Sequence, residues 1–180
     1  MKYCSQCGHT VSRKIPEGEV LERFVCDSCQ TIHYQNPKVV AGCIPEWEDK
    51  ILLCKRAIEP RYGLWTLPAG FMELGETLEQ AAARETWEEA QARVDQLDLY
   101  VVCSLPYISQ VYTLFRANLQ DLDFGPGPES LVVELFDESQ IPWDQLAFEV
   151  VRQALRLYFA DKAKQQFTLH VTDVEKILSR

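Results

Sequence analysis

Three glutamates in the middle of the chain are spaced so that a helix would bring their carboxylates together. Glu85, Glu88 and Glu89 occupy positions i, i+3 and i+4, which span about a third of a helix circumference. The apolar residues of the same predicted helix share this arc, so the carboxylates should face protein. Carboxylates roughly 6 Å apart repel by about 2–3 kcal/mol per pair, and the sequence places no Lys or Arg on the arc. A divalent cation would relieve this repulsion, whereas the alternative is a solvated acidic helix face.

These glutamates belong to a longer pattern, which reads Gly70, five residues, Glu76, seven residues, Arg84-Glu85, two residues and Glu88-Glu89. The pattern resembles the Nudix box, a loop–helix–loop that holds divalent metal ions against a diphosphate. The similarity continues upstream through GLWTLPA at 63–69. The resemblance implies an α/β fold, a Nudix-type α/β/α sandwich with a mixed sheet. It also implies a Nudix hydrolase that cleaves nucleoside diphosphate derivatives with Mg²⁺ or Mn²⁺ as cofactor.

The resemblance assigns the metal ligands to individual residues. Glu85, Glu88 and Glu89 would bind Mg²⁺ or Mn²⁺, with the carbonyl of Gly70 as a further ligand. This agrees with the preference of hard cations for oxygen ligands. The metal ions would neutralise the diphosphate, position it and lower the pKa of the attacking water.

Arg84 and Glu129 are the remaining candidates for catalysis. Arg84 is rotated by about 100° from the carboxylate arc, which predicts an ion pair with Glu76; contact with phosphate is the alternative. Glu129 follows the loop FGPGP, where related enzymes often carry a catalytic or metal-binding glutamate. A loop that closes over substrate is a sensible place for a general base, although Glu129 could simply keep a turn soluble. Glu134 is a weaker candidate because it lies within a predicted strand.

Two positions depart from the pattern of the box. Thr86 replaces an aliphatic residue, which is a mild change in packing. Gln91 replaces the glycine that follows the helix, where a left-handed conformation is usual and Gln costs about 1 kcal/mol more than Gly. Neither side chain would bind metal, so both changes are expected to affect stability rather than chemistry.

Four of the seven cysteines form two CxxC pairs separated by 18 residues: Cys4, Cys7, Cys26 and Cys29. This spacing predicts a zinc ribbon in which four thiolates bind a structural Zn²⁺. Two disulfides are the competing interpretation, which fits poorly with a chain that lacks a secretion signal. His9 and His33 lie nearby but are not needed as ligands.

The other three cysteines, Cys43, Cys54 and Cys103, lie in apolar, strand-like runs and should pack as small hydrophobic residues. A nucleophilic role would need a histidine partner, and His170 lies far along the chain.

Composition limits the classes of protein that fit. The 180 residues, 47% of them hydrophobic, suffice for one core and a small appendage. Because there is no apolar run of about 18 residues and no apolar signal core, we expect a cytoplasmic protein without a membrane partner. The net charge of −9 argues against broad binding to nucleic acid.

The chain is expected to divide into a zinc ribbon at 1–34 and a Nudix hydrolase domain at 35–180. One helix should begin near Thr77, which has capping-box spacing to Gln80, and a second should span 147–162. The predicted strands of the second domain cover 39–44, 50–56, 64–67, 97–104, 110–118 and 131–136. The alternating FTLHV run within 166–180 could add an edge strand, either locally or in a partner subunit.

The expected substrate follows from resemblance over the whole chain. The segments YQNPK (34–38) and PGPES (126–130) are similar to those of bacterial zinc-ribbon Nudix enzymes that cleave ADP-ribose and FAD. NADH pyrophosphatases share the ribbon and the Nudix domain, but they carry an SQPWPFP-like stretch where this chain reads SLPYISQ (104–110). NADH or NAD-capped RNA is therefore the second choice. Because similar proteins commonly pair, we also expect a homodimer.

Several side chains could contact such a substrate, and a different function is also conceivable. Aromatic candidates for stacking on a ring are Tyr62, Trp65, Phe71, Tyr107 and Tyr112. Cationic candidates for phosphate or ribose are Lys55, Arg56 and Arg61. The alternative from another class is a non-catalytic, ligand-sensing Nudix module whose ribbon binds nucleic acid or protein.

Overall fold

The computed structural model describes residues 1–175, which form two compact units that are described separately here. The first unit is Met1–Pro37 and the second begins at Lys38, just beyond the boundary predicted after residue 34. The last part of the predicted C-terminal edge segment, 176–180, lies outside the described residues. Within the described residues, no helix combines the length and the apolar content needed to cross a bilayer.

The first unit is a small antiparallel sheet with two cysteine-bearing turns. Its strands are β1 (Val11–Lys14), β2 (Arg23–Cys26) and β3 (Ile32–His33), in the order β1-β2-β3. The buried residues of this unit include Cys4, Val25 and Cys26, so its apolar core is small. A unit of this size normally needs a metal ion or a disulfide to be stable.

The second unit contains an eight-stranded sheet. Its strands are β4 (Lys38–Trp47), β5 (Lys50–Arg56), β6 (Trp65–Thr66), β7 (Ala69–Phe71), β8 (Val94–Leu105), β9 (Gln110–Leu119), β10 (Ser130–Phe136) and β11 (His170–Asp173). The order is β10-β5-β4-β9-β8-β11, with β6 paired to β5 and β7 paired to β4. Strands β4 and β9 are parallel, as are β8 and β11, and the other pairs are antiparallel. The predicted mixed sheet is therefore confirmed.

Two helices cover opposite faces of this sheet. Helix α1 spans Leu78–Ala90 and α2 spans Glu149–Lys164, while short 3₁₀ turns occupy Pro106–Ile108, Glu138–Gln140 and Trp143–Gln145. Side chains alternate along each strand. Cys43 of β4 packs with α1, whereas the adjacent Ile44 packs with α2. The alternation of Leu53 and Cys54 in β5 follows the same rule, which confirms the α/β/α sandwich.

The edge strand β11 is tied to α2 by a partly buried polar contact. His170 Nε2 lies 2.7 Å from Asp161 Oδ2, which also accepts a hydrogen bond of 3.0 Å from the Tyr100 hydroxyl. The predicted edge strand is present locally and parallel to β8, but it includes only the last two residues of the FTLHV run, His170 and Val171, and continues to Asp173. His170 is engaged in this contact, and all three strand cysteines are buried as predicted.

The two ends of α1 follow its sequence closely. Thr77 is the N-cap, and its side chain accepts a hydrogen bond from the Gln80 amide while the Gln80 side chain accepts one from the Thr77 amide. The predicted capping box is therefore present. Gln91 ends the helix in the left-handed conformation, with φ 49° and ψ 25°, and its amide donates to the Trp87 carbonyl. Thr86 is fully buried, and its hydroxyl donates to the Ala82 carbonyl at 2.8 Å.

Replacing Gln91 with glycine should stabilise the protein. A left-handed residue with a Cβ costs about 1 kcal/mol relative to glycine, so Gln91→Gly should raise the melting temperature by about 2–4 °C. The matched control is Gln165→Gly, because Gln165 ends α2 in the same conformation with φ 53°. Thermal unfolding followed by circular dichroism measures both variants. A lower melting temperature for Gln91→Gly, or a change in its Mg²⁺ requirement, would contradict the view that Gln91 only ends the helix.

Candidate functional site

A cavity of about 740 Å³ lies where α1, β7 and the segment before β10 meet. Its walls carry most of the charged residues predicted for the site: Arg84, Glu85, Glu88, Glu89 and Glu129, together with Gly70. The fold therefore brings the box glutamates and Glu129 to one cavity, although they are far apart in sequence.

Two of the carboxylates are buried against the backbone of β7. The exposed fraction is 9% for Glu85 and 7% for Glu89. Glu89 Oε2 accepts a hydrogen bond of 3.3 Å from the Ala69 amide. The Glu85 carboxylate packs so closely on Gly70 that a Cβ at this position would overlap it. A larger residue at position 70 would therefore displace the Glu85 carboxylate from this position.

Arg84 joins the loop, the helix and the carboxylates. Its Nε lies 2.6 Å from Glu76 Oε1, which confirms the predicted ion pair. Its Nη1 also lies 2.7 Å from Glu85 Oε1 and 3.1 Å from Glu88 Oε2. The expectation that no cation reaches the carboxylate arc is therefore wrong. A helical wheel gives only the direction of the Cα–Cβ bond. The arginine side chain is long enough to bend back and bring its guanidinium to carboxylates that lie in another direction.

Burial changes the proton affinity of the site. Removal from water raises the pKa of Glu89 to about 8, and the hydrogen bond from Ala69 opposes this effect only partly. The pKa of Glu85 is also raised, chiefly by burial, while its contact with Arg84 acts in the opposite direction. Hydrogen bonds from Arg84 hold the pKa of Glu76 below its ordinary value. The nearby carboxylate of Glu129 contributes to the raised pKa of both Glu85 and Glu89.

Glu88 and Glu129 differ from the buried pair. The side chain of Glu88 is 55% exposed, so this residue does not face the interior as the shared arc predicted. Glu129 is exposed in a turn and also lines the cavity. Within residues 1–175, the four cysteines form a group whose ligand atoms all lie within 4.8 Å of one another, whereas the glutamates do not. Glu134 lies in β10, away from the cavity wall.

The aromatic and cationic candidates separate into two groups. Phe71, which is 46% exposed, Tyr112 and Arg56 line the cavity. Trp65 belongs to the core, and the remaining candidates lie outside the lining: Tyr62, Tyr107, Lys55 and Arg61. Phe148 also lines the cavity, with the Arg56 guanidinium 5.1 Å from its ring centre. Sequence reasoning missed Phe148 because it directly precedes α2 and reads as part of the amphipathic helix.

The four cysteines of the first unit converge as the sequence predicted. Cys7 Sγ lies 3.4 Å from the sulfurs of both Cys26 and Cys29, and Cys4 Sγ lies 3.7 Å from that of Cys29. Four sulfurs at about 2.3 Å from a tetrahedral Zn²⁺ would be about 3.8 Å apart. The donor set and its spacing therefore fit a structural zinc ion that fills all its positions with sulfur.

Two neighbouring side chains contact sulfurs of this group. His33 Nε2 lies 3.3 Å from Cys4 Sγ, and the Thr31 hydroxyl lies 3.1 Å from Cys29 Sγ. The contact with Thr31 is the main cause that lowers the pKa of Cys29 to about 6. The contact of Cys7 with the His9 backbone lowers the pKa of Cys7, but the sulfurs of Cys29 and Cys26 outweigh it and raise that pKa overall. His9 lies beside the carbonyl of Cys7 rather than its sulfur. Both histidines thus lie outside the four-sulfur set, as predicted, and His33 contacts one of its members.

Loss of a ribbon cysteine should release zinc. The variant Cys26→Ser should purify without the one zinc ion per chain expected for the native protein, because serine is a poor zinc ligand. The matched control is Cys103→Ser, which also removes a buried thiol but lies in β8. Metal analysis by mass spectrometry gives the zinc content of each. Equal zinc content in Cys26→Ser and the native protein would contradict the assignment.

The raised pKa of Glu89 predicts a dependence of stability on pH. Between about pH 5 and pH 8 the folded protein without divalent cation keeps a proton on Glu89 that the unfolded chain has lost. The free energy of unfolding should therefore fall as the pH rises through this window. Glu89→Gln should flatten the slope, and Glu134→Gln should leave it unchanged. Urea unfolding at several pH values measures the slope, and an identical slope in Glu89→Gln would contradict the raised pKa.

Comparison with protein families and known structures agrees with this geometry. A family profile described as "Nudix N-terminal", a zinc ribbon, matches residues 2–35, and one described as "NUDIX domain" matches residues 36–157. A NUDIX hydrolase crystal structure from Nitrosomonas europaea is 60% identical, with a TM-score of 0.94 over 98% of this chain and 100% of that chain. An ADP-ribose pyrophosphatase from Streptococcus suis, at 21% identity and a TM-score of 0.61 over 77% of this chain and 100% of that one, shares the fold.

The chain is also similar in sequence to a group of NAD-capped RNA hydrolases. The NAD-capped RNA hydrolase NudC from Salmonella schwarzengrund is 34% identical over 134 residues, which cover 73% of this chain and 49% of the relative. The same protein from Escherichia coli O9:H4 matches with the same identity and coverage. The chain thus spans about half the length of the curated relatives it matches. On the extent of the domain match and of these likenesses, the chain belongs to the Nudix hydrolase family, with a zinc ribbon preceding its Nudix domain.

Proposed function

We propose that the protein is a metal-dependent pyrophosphohydrolase that cleaves the diphosphate of a nucleoside diphosphate derivative, with ADP-ribose and FAD as the preferred substrates. The observation that carries this proposal is the pair of buried carboxylates, Glu85 and Glu89, on the wall of a large cavity. Burying carboxylates costs free energy. Binding of a divalent cation by these two carboxylates would explain why the protein keeps them buried despite this cost.

The site has the donors that a divalent cation needs. Glu85, Glu88 and Glu89, with the Gly70 carbonyl beside them, would hold Mg²⁺ or Mn²⁺ through hard oxygen ligands. When bound, such a cation neutralises diphosphate charge and makes water a better nucleophile. One nitrogen of Arg84, Nη1, contacts both Glu85 and Glu88. When a cation binds, these two carboxylates would give up part of their contact with Arg84 and bind the cation instead. The bidentate contact with Glu76 would keep Arg84 in place meanwhile.

Other residues on the cavity wall would bind the substrate and accept a proton from the attacking water. Glu129 is the candidate general base, because it is exposed on the cavity wall and near enough to raise the pKa of Glu85 and Glu89. Arg56 is a cation on the same wall and can meet phosphate or ribose oxygens. The exposed ring of Phe71 and the ring of Tyr112 offer flat apolar surfaces for a nucleobase or flavin. A cavity of about 740 Å³ is within the range typical of small-molecule sites.

A second candidate function is hydrolysis of NADH or of the NAD cap of RNA. The likeness to the NAD-capped RNA hydrolases favours it and counts against the expectation that nucleic acid is not a partner. The ribbon itself offers little positive charge to RNA, because three of its four lysine and arginine side chains are paired with carboxylates. These pairs are Arg13–Glu22, Lys14–Asp27 and Arg23–Glu19. Selectivity for the cap would therefore depend on the Nudix domain.

A panel of substrates tests the proposal. ADP-ribose, FAD, NADH and NAD-capped RNA would be compared with Mg²⁺ and with Mn²⁺, with products separated by chromatography. We expect ADP-ribose to give AMP and ribose 5-phosphate, and FAD to give AMP and FMN, at higher kcat/KM than the other two. Clear preference for NADH or capped RNA would favour the second function. No turnover of any of the four, with tight binding of RNA at moderate salt, would favour a non-catalytic module.

Matched glutamate variants test the roles of the carboxylates. Glu89→Gln should lose about 10²–10³-fold in kcat because metal-ion stabilisation is worth several kcal/mol. Glu129→Gln should lower kcat with Mn²⁺ affinity unchanged, and Glu134→Gln should keep native kinetics. Wild-type rates in Glu89→Gln would contradict the proposed site, whereas wild-type rates in Glu129→Gln would remove only the general base.

The assembly and location of the protein remain predictions. We propose a homodimer in the cytoplasm, which the resemblance to similar enzymes supports. Light scattering after size-exclusion chromatography would measure the mass in solution against the 20.7 kDa of one chain.

A further inference from the structure

We infer that Gly127 is a positioning residue that fixes Glu129 in the site by attaching its turn to the end of α1. This inference rests on the proposed function, because Glu129 acts only if the diphosphate is cleaved in this cavity. The sequence led us to expect a loop that closes over substrate. In the structure, the backbone of residues 125–129 instead forms hydrogen bonds to α1 on one side and to the end of β5 on the other.

The end of α1 provides the attachment. The last carbonyls of a helix have no partner within the helix and must be satisfied from outside. The Gly125 amide donates to the Ala90 carbonyl at 2.9 Å, and the Gly127 amide donates to the Glu89 carbonyl at 3.0 Å. Glu89 therefore contributes its carboxylate to the cavity and its carbonyl to the segment that carries Glu129.

A tight turn transmits this attachment to Glu129. The Ser130 amide donates to the Gly127 carbonyl at 3.0 Å, which closes a four-residue turn with Pro128 in its second position. Proline is favoured there because its φ is already fixed. On the other side, the Ala57 amide donates to the Glu129 carbonyl at 2.8 Å. The backbone of Glu129 is thus held between the end of α1 and the end of β5.

Only one of the two glycines needs to be a glycine. A Cβ at Gly127 would overlap the Glu88 carbonyl oxygen and lie 2.8 Å from the Glu88 carbonyl carbon, both of which are backbone atoms that cannot turn aside. A Cβ at Gly125 would have a single neighbour within 4 Å, Gln91 Oε1 at 3.8 Å. Gly127→Ala must therefore push the turn away from α1, while Gly125→Ala can keep it. The two substitutions add the same methyl group to neighbouring glycines and form a matched pair.

The first experiment measures catalysis. With ADP-ribose and Mn²⁺, Gly127→Ala should lower kcat by about 10²-fold, because a shift of about 1 Å in a catalytic group has this effect. Its KM, its Mn²⁺ affinity by electron paramagnetic resonance and its zinc content should stay within about twofold of native. Gly125→Ala should match the native enzyme throughout. Equal kcat values for the two alanine variants would overturn the inference and leave the proposed function intact.

A double variant separates positioning from general damage. If Gly127 acts through Glu129, then Gly127→Ala combined with Glu129→Gln should be no slower than Glu129→Gln alone, within about twofold. If Gly127→Ala instead damages the metal cradle, the two losses should multiply, and that result would also overturn the inference.

Hydrogen exchange tests the attachment without turnover. In the native protein the amides of Gly125 and Gly127 should exchange slowly, and only Gly127→Ala should make the peptide around 124–130 exchange fast. Fast exchange of this peptide in the native protein would overturn the inference even if Gly127→Ala fails to fold. Absence of turnover on every substrate, with slow exchange retained, would instead contradict the proposed function.

Discussion

The carboxylates of Glu85 and Glu89 are removed from water, and the site depends on contacts from neighbouring elements that stabilise them there. Each would repel the other and lose its hydration, so each needs a specific partner. Arg84 provides one for Glu85, and the Ala69 amide provides one for Glu89. These partners are available only because β7 runs beside α1 and because residue 70 has no side chain. Burial nevertheless raises the pKa of Glu89 to about 8, since the hydrogen bond from Ala69 offsets only part of the loss of hydration.

Elements whose structure depends on residues close together in the sequence could be predicted from the sequence. The start of α1 followed from Thr77 and Gln80, whose capping bonds need only neighbouring residues. The strand at Lys50–Arg56 was predicted with its observed bounds because a short apolar run between polar turns specifies it. The zinc ligands followed from their spacing. The sandwich was expected from the pattern of strands mixed with two main helices as well as from the resemblance, and the alternation of Cys43 and Ile44 explains it physically.

Features that depend on distant parts of the chain were not predictable in this way. Strand β7 (Ala69–Phe71) exists because it pairs with β4, and two of its three residues, Ala69 and Gly70, do not favour a strand. The reach of Arg84 to Glu88 depends on its side-chain torsions, which a helical wheel does not contain. The role of Gly127 depends on the carbonyls of a helix that ended many residues earlier. Phe148 packs against the core, as its sequence position suggests, but it also lines the cavity, which that position does not indicate.

The four zinc-site sulfurs are unequally covered, since Cys4 and Cys26 are buried whereas Cys7 and Cys29 are exposed. Dissociation of the ion should therefore begin on the outer side, where a competing ligand can approach the exposed pair. The rate of zinc exchange would then be set by surface chemistry rather than by unfolding of the ribbon. Strong chelators would therefore take the ion from the exposed side, and this small unit would then lose the ion that stabilises its fold.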